Sequence, residues 1–203
     1  MSKIFLLIGK AAVGKDTFKN YLLTNGNFHN AISYTTRPMR PNEQQDVDYH
    51  FISDKEMDDI INKGLALETT EYPQADGSIF RYCYAKTCFD MEKDNLMIIN
   101  PIGLKQLAQY PEIKSRMVVL YLSVGDTIRQ ARYIERELAE KLNLGNILER
   151  WYTRLKRDNL DFQNLVNFMN ESQIPFHSIT GTIENAKKMI EEGMEELLSL
   201  IHI

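Results

Sequence analysis

Cysteine is scarce in this chain: Cys83 and Cys88 are the only two among 203 residues. Two thiols cannot build the bridged framework of a small secreted domain, so a reducing, cytoplasmic setting is expected. Long apolar runs are missing as well. No stretch approaches the roughly 20 residues that span a bilayer. "KIFLLIG" is shorter than a signal-peptide core and flows directly into a glycine loop. Nor is there an excess of basic charge. The formal net charge is −4, which argues against a general nucleic-acid binder and against a polybasic membrane anchor. No nucleic-acid or membrane partner is therefore expected, and any polyanion must be met by a local basic cluster. Internal repeats and low-complexity linkers are absent too.

What the chain does have is alternation. "IFLLI", "NLMIIN" and "RMVVLYLS" are continuous apolar runs, as expected of parallel strands covered on both faces. Helical patterns follow them: "KDTFKNYLLTN" from near Gly14, "PIGLKQLAQ", and a long region over 126–169 broken near Leu144 and Gly145. "PFHSIT" predicts a last strand, and 182–201 a closing amphipathic helix. Strands alternating with helices imply an α/β fold with a parallel central sheet. A more polar block interrupts this rhythm. There "NAISYTT", "DYHFIS", "GLALETTEY" and "IFRYCYA" read as strands around a short helix, "DKEMDDIINK", which suggests an inserted subdomain over about 33–90.

The first chemical signal is "GKAAVGKDT", Gly9 to Thr17. It nearly spells the phosphate loop G-x-x-x-x-G-K-[ST]. Glycines let backbone N–H groups turn inward around phosphate oxygens, and the helix that follows presents its positive end. A bare G-x-x-x-x-G-K arises by chance in roughly one chain in twenty of this size, but here a buried strand precedes it and a helix follows, the context the motif requires. Gly9, Lys10, Ala11, Ala12, Val13, Gly14, Lys15, Asp16 and Thr17 form the candidate ATP site, with Lys15 reaching the β- and γ-phosphates. The second signal is "SYTTRPMRPNEQQDVDYHF". Arg37 and Arg40 stand on a loop stiffened by Pro38 and Pro41, with Tyr49 nine residues beyond Arg40. Two guanidinium forks and a phenol suit a phosphate dianion. Beside a phosphate loop they imply a second phosphorylated ligand.

On these two segments the chain resembles the guanylate kinase family, and the likeness thins over the rest. The resemblance implies a three-layer P-loop α/β fold with a parallel central sheet, a small β-rich NMP-binding subdomain at about 33–90 and a helical lid at about 126–169. The core would comprise about 1–32, 91–125 and 170–203 of a single domain. It implies transfer of the γ-phosphoryl of MgATP to GMP or dGMP, giving GDP and ADP, by a monomer or homodimer. Arg37, Arg40, Tyr49 and Tyr82 would hold the GMP phosphate, Ser33 would touch the guanine edge, and Glu68 would accept hydrogen bonds from it. Arg132, Arg136 and Arg154 would act with Lys15 on the transferring group; the bland alternative is a solvated face paired with Glu135, Glu137 and Glu149. Tyr84 falls where the family usually has a small hydroxyl residue.

The chain departs from that pattern after its central strand. The family carries Asp-x-Asp there, the first acid helping to position the metal and the second assisting guanine recognition; this chain has Ile98-Ile99-Asn100. Asn100 can still read a base edge, with altered preference. Asp16, beside Lys15, is the candidate replacement ligand for Mg²⁺, since hard cations favour oxygen. The rival is a helix-start acid favoured by the dipole, with Thr17 taking the metal. "GKD" without the acid pair is also similar to the ribose 1,5-bisphosphate kinases, which lack the full "TTRPMRP…DYHF" segment. Catalytically silent guanylate-kinase-like binding modules typically lose the loop lysine, which is present here.

Overall fold

The structure, a computed structural model, describes residues 2–41, 43–74, 77–139 and 143–180. The expected closing helix at 182–201 lies outside them. β1 (Ile4–Gly9) is buried at every position, which is why its apolar run shows no alternation. It leads into α1 (Lys15–Asn25). The expected strand "NAISYTT", residues 30–36, is a strand only at its end, Tyr34–Thr35, and another strand ends at its first residue, Asn30. β2 (Phe28–Asn30) pairs in parallel with β7 (Asp94–Ile98), whereas β3 (Tyr34–Thr35) pairs with β4 (His50–Phe51) and β6 (Ile79–Ala85). These two strands belong to different sheets, and residues 31–33 between them form no strand.

The first sheet has the order β2-β7-β1-β8-β9, with β8 (Met117–Ser123) and β9 (Phe176–Thr180) paired in parallel. The second has the order β4-β3-β6-β5, where β5 (Ala66–Pro73) and β6 form an antiparallel hairpin. α2 (Asp54–Asn62) begins with a capping box: Glu56 N–H donates to Ser53 Oγ and Ser53 N–H donates to Glu56 Oε2. α3 (Pro101–Leu107) starts with Pro101 and is capped by Asn100. α4 (Pro111–Lys114) is a single turn. α5 (Asp126–Ala139), α6 (Leu144–Phe162) and α7 (Leu165–Glu171) make up the long helical region.

The chain divides into two compact units, Met1–Leu6 with Leu22–Val118, and Leu7–Tyr21 with Val119–Ile203. The first holds the second sheet, α2 and α3. The Gln106 side chain of α3 closes the open edge of β5, accepting from Thr69 N–H and donating to Thr69 O, each at 2.9 Å. The second unit holds the glycine loop with α5 and α6, which pack through Tyr133, Ile147 and Trp151, with Ala12 of the loop against this cluster.

Candidate active site

In the second unit, the loop between β1 and α1 is a coil that glycine permits at two points. Gly14 has φ 102°, in the left-handed region. At Gly9 a Cβ would lie 2.7 Å from Leu122 O, so β1 meets β8 only because no side chain intervenes. Ala12 also has positive φ, 58°. Lys15 folds back over the coil and donates to Gly9 O at 2.8 Å and Lys10 O at 3.1 Å. Burial lowers its pKa from 10.5 to about 8, against the raising effect of Asp16 and Asp158. Asp16 and Thr17 are exposed at the start of α1.

The helices clasp this coil. Arg129 of α5 is 0% exposed and donates to Ala11 O, to Asp158 Oδ2 and to Asp126 Oδ1 at 2.7–2.9 Å. Asp158 of α6 in turn accepts from Ala11 N–H at 2.9 Å. Arg132 donates to Val13 O at 3.1 Å, and Lys10 to Asn159 Oδ1 at 2.7 Å. Arg136 and Arg154 both lie over the Tyr133 ring, at 5.3 and 5.7 Å. Of the expected arginines, Arg132 reaches the loop, whereas Arg136, 54% exposed, also pairs with Glu137 at 3.2 Å, as the bland alternative has it. Sequence reasoning passed over Arg129 and missed Asp158. A cavity of about 250 Å³ opens beside the loop, with Lys10, Ser123, Asp126 and Arg129 in its lining.

In the first unit, strand register collects the other residues. Directly opposed residues share a sheet face, and each face repeats every second residue. Glu68 opposes Tyr84; Thr70 opposes Tyr82; Thr35 opposes both Tyr82 and Phe51. These side chains therefore stand on one face, in the same two-residue phase as Tyr72 farther along β5. Ser33, Arg37 and Tyr49 flank the same strands. Arg37, 7% exposed, donates from Nε to Tyr82 Oη at 3.2 Å, and its guanidinium lies 5.3 Å from the Tyr49 ring centre. Its two terminal nitrogens grip both oxygens of Glu43 at 2.7 and 3.0 Å. That fork, with Arg40 N–H, holds the Glu43 carboxyl below its ordinary range despite some burial. The Arg40 guanidinium remains exposed.

At the other end of this face Glu68 is 4% exposed. It accepts from the Thr70 hydroxyl. Burial pushes its pKa up, against the Thr70 hydroxyl and the Tyr84 N–H, which favour the carboxylate. Tyr84 is buried; its phenol donates to Ile98 O at 2.9 Å and hydrogen-bonds Ser33, and burial raises its pKa. Asn100 Nδ2 donates to Tyr72 Oη at 2.9 Å and Thr70 Oγ1 at 3.3 Å. Glu43, Thr70 and Tyr72 were not singled out from the sequence. The i+2 phase of "ETTEY" on a half-buried strand was the signal available for the last two.

A family model described as guanylate kinase matches residues 1–149. Curated relatives include the guanylate kinase of Mycobacterium leprae, 40% identical over 70 residues that cover 34% of this chain and 33% of the relative. That of Desulfotalea psychrophila is 37% identical over 68 residues, covering 33% and 34%. The chain thus matches about a third of the length of these relatives. Among solved structures, a guanylate kinase from Anaplasma phagocytophilum superposes with a TM-score of 0.64 at 17% identity, covering 96% of this chain and 86% of that one. At that identity the likeness is one of fold.

Proposed function

The chain belongs to the guanylate kinase family, and from that membership we propose that it is a nucleoside monophosphate kinase passing the γ-phosphoryl of ATP to GMP or dGMP. The observation that carries the reading is the acceptor face. Residues separated by up to about a third of the chain, from Ser33 to Asn100, converge on one side of one small sheet. Arginine and phenol donors stand at one end and a buried carboxylate at the other. Such a face suits a phosphate ester with a polar base edge. The residues 33–90 then form the acceptor subdomain and 126–169 the lid.

Phosphoryl transfer asks a protein mainly to align two phosphates, neutralise their charge and exclude water. The loop N–H groups and Lys15 would hold the donor phosphates, and Arg132, Arg136 and Arg154 would meet the transferring group. Arg37, Arg40, Tyr49 and Tyr82 would hold the acceptor phosphate, and Ser33, Glu68 and Asn100 its base end. Mg²⁺ fits the donor set. Among the described residues no cluster of three or more His, Cys, Asp or Glu cages a metal, and Mg²⁺ on a nucleotide needs only one or two carboxylates beside phosphate oxygens and water. Asp16 and Thr17 would hold it, and it would offset charge on the donor phosphates. Both cysteines are free and buried, with pKa values raised by burial to about 12 for Cys83 and about 11 for Cys88. Neither is a reactive thiol, and we place the enzyme in the cytoplasm.

The test is ADP release from MgATP over a panel of nucleoside monophosphates and ribose 1,5-bisphosphate, with Lys15→Met as control. We expect turnover of a 6-oxopurine nucleotide, lost by at least a hundredfold in Lys15→Met while GMP still binds by calorimetry. Turnover of the sugar bisphosphate alone, or turnover that survives Lys15→Met, refutes the assignment.

A further inference from the structure

Two helices hold the outer half of the glycine loop. Ala11 is bonded at both of its backbone groups: its N–H donates to Asp158 Oδ2 of α6, and its carbonyl accepts from Arg129 Nη1 of α5, each at 2.9 Å. The Val13 carbonyl accepts from Arg132 of α5 at 3.1 Å. Between them Ala12 sits at φ 58°, a left-handed backbone that a side chain tolerates only where its surroundings impose it. The bond that closes this turn within the loop, Val13 N–H to Lys10 O, is long at 3.4 Å. The inner half of the loop runs into α1, whose first N–H groups have no partner within the helix. Both bonds to Asp158 fall on one oxygen, since Arg129 Nη1 donates to the same Oδ2 at 2.9 Å, and Asp126 holds Arg129 from another side at 2.7 Å. Arg154 stands one turn before Asp158 on the same face of α6. Its charge reaches Lys15, as that of Asp158 does.

We infer that Asp158, on the kinase reading above, is a positioning residue for the donor nucleotide: by accepting from Ala11 N–H and Arg129 together, it fixes both the turn that receives the donor phosphates and the placement of Arg154 relative to Lys15. What matters is the acceptor at Oδ2, not the charge. An asparagine can put its own Oδ1 there and receive both bonds, with Asp126 left to offset the Arg129 charge. An alanine offers nothing, so Ala11 N–H loses its partner and α6 loses its anchor on the loop. The acceptor face shares none of these contacts, and its residues belong to the other compact unit.

The experiment compares Asp158→Ala, Asp158→Asn and Asp158→Glu with the parent in the full chain. Calorimetry with MgATP alone and with GMP alone is run beside the steady-state constants, at a temperature where circular dichroism shows the variants folded. Asp158→Ala should weaken MgATP about tenfold or more, as expected for a lost hydrogen bond to a charged group. It should also lower kcat by about tenfold to a hundredfold through the displaced arginine, with GMP affinity unchanged. Asp158→Asn should keep MgATP binding and kcat within about threefold of the parent. Asp158→Glu keeps the counter-charge of Arg129, and with it the fold, but carries its oxygens one methylene farther. It should lose MgATP in the same sense as Asp158→Ala, and it decides the matter where the alanine variant does not fold. Parent-like MgATP binding in the alanine or the glutamate variant, equal losses for MgATP and GMP, or an asparagine variant as impaired as the alanine one overturns the inference. A parent that binds no MgATP overturns it together with the kinase reading. The expected pattern of MgATP binding without transfer to any nucleoside monophosphate supports it and overturns only the kinase reading.

Discussion

Lys15 is charged and enclosed at once, and the two facts pull stability and binding in opposite directions. Its pKa falls from 10.5 to about 8 because burial disfavours the ammonium. As pH rises through about 8 the folded protein releases this proton, while the unfolded chain keeps it until about 10.5. Between those values the unfolded state binds more protons, so the contribution of Lys15 to stability rises with pH. The positive charge offered to a phosphate falls over the same interval. ATP affinity should therefore drop as pH passes 8 while the melting temperature gains a rising component, and Lys15→Met should lack both slopes. Asp16 is testable on the same loop. If its carboxylate helps hold Mg²⁺, Asp16→Ala raises the Mg²⁺ concentration needed for half-maximal turnover, and Asp16→Ser does not fully restore it. An unchanged Mg²⁺ titration in Asp16→Ala leaves the residue only its place at the positive end of α1.

Elements show what local patterns can and cannot reveal. β1, α1, β7, β8 and α2 were legible because period and caps are local: "IFLLI" needs no partner to read as buried, and Ser53 with Glu56 spells its own capping box. That "NAISYTT" keeps only a short strand, β3, with β2 ending at its first residue, was not legible, because the partners that fix the two strands are supplied by β7 and β6 roughly 50–65 positions later. The clasp on the glycine loop was hidden for the same reason. Arg129 and Asp158 stand 29 positions apart, on two helices whose sequences give no sign that they meet. Yet that pair joins α5, α6 and the loop, and Arg129 is fully enclosed. Removing one partner of a buried pair costs about 3–5 kcal/mol. Since Asp126 still faces Arg129, Asp158→Ala should sit near the lower end, about 3 kcal/mol, read by urea unfolding. A change below about 0.5 kcal/mol, ordinary for a surface substitution, would mean that the clasp carries no stability.

For the whole molecule, the two sets of candidate residues fall in different compact units. The glycine loop with Arg132, Arg136 and Arg154 is in one, and the face that carries Arg37, Tyr82, Glu68 and Asn100 is in the other. The sequence set apart only the polar strand block at about 33–90, whereas the first unit runs over Met1–Leu6 with Leu22–Val118 and takes in β2, β7 and α3 as well. Nor could the sequence show that Arg37 grips Glu43 at 2.7 Å while the exposed Arg40 guanidinium reaches the same carboxylate only at 4.0 Å, since both arginines sit in the same short loop. That difference assigns unequal tasks. On the proposed reading Arg37 would meet the phosphate with donors now held by Tyr82 and Glu43, whereas the Arg40 guanidinium, 64% exposed and 4.0 Å from Glu43 Oε1, would turn to it more readily. Arg40→Ala should then raise the Michaelis constant for GMP by about tenfold, the lower range of a charge-assisted contact at an exposed position, and leave that for ATP nearly unchanged. Changes that share no partner add in free energy. Combining Arg40→Ala with Asp16→Ala should therefore multiply the two single losses in kcat/KM, the first read on GMP and the second on MgATP. A double variant no worse than the poorer single one would mean that the two units do not hold separate ligands, and that the assignment of donor and acceptor to them is wrong.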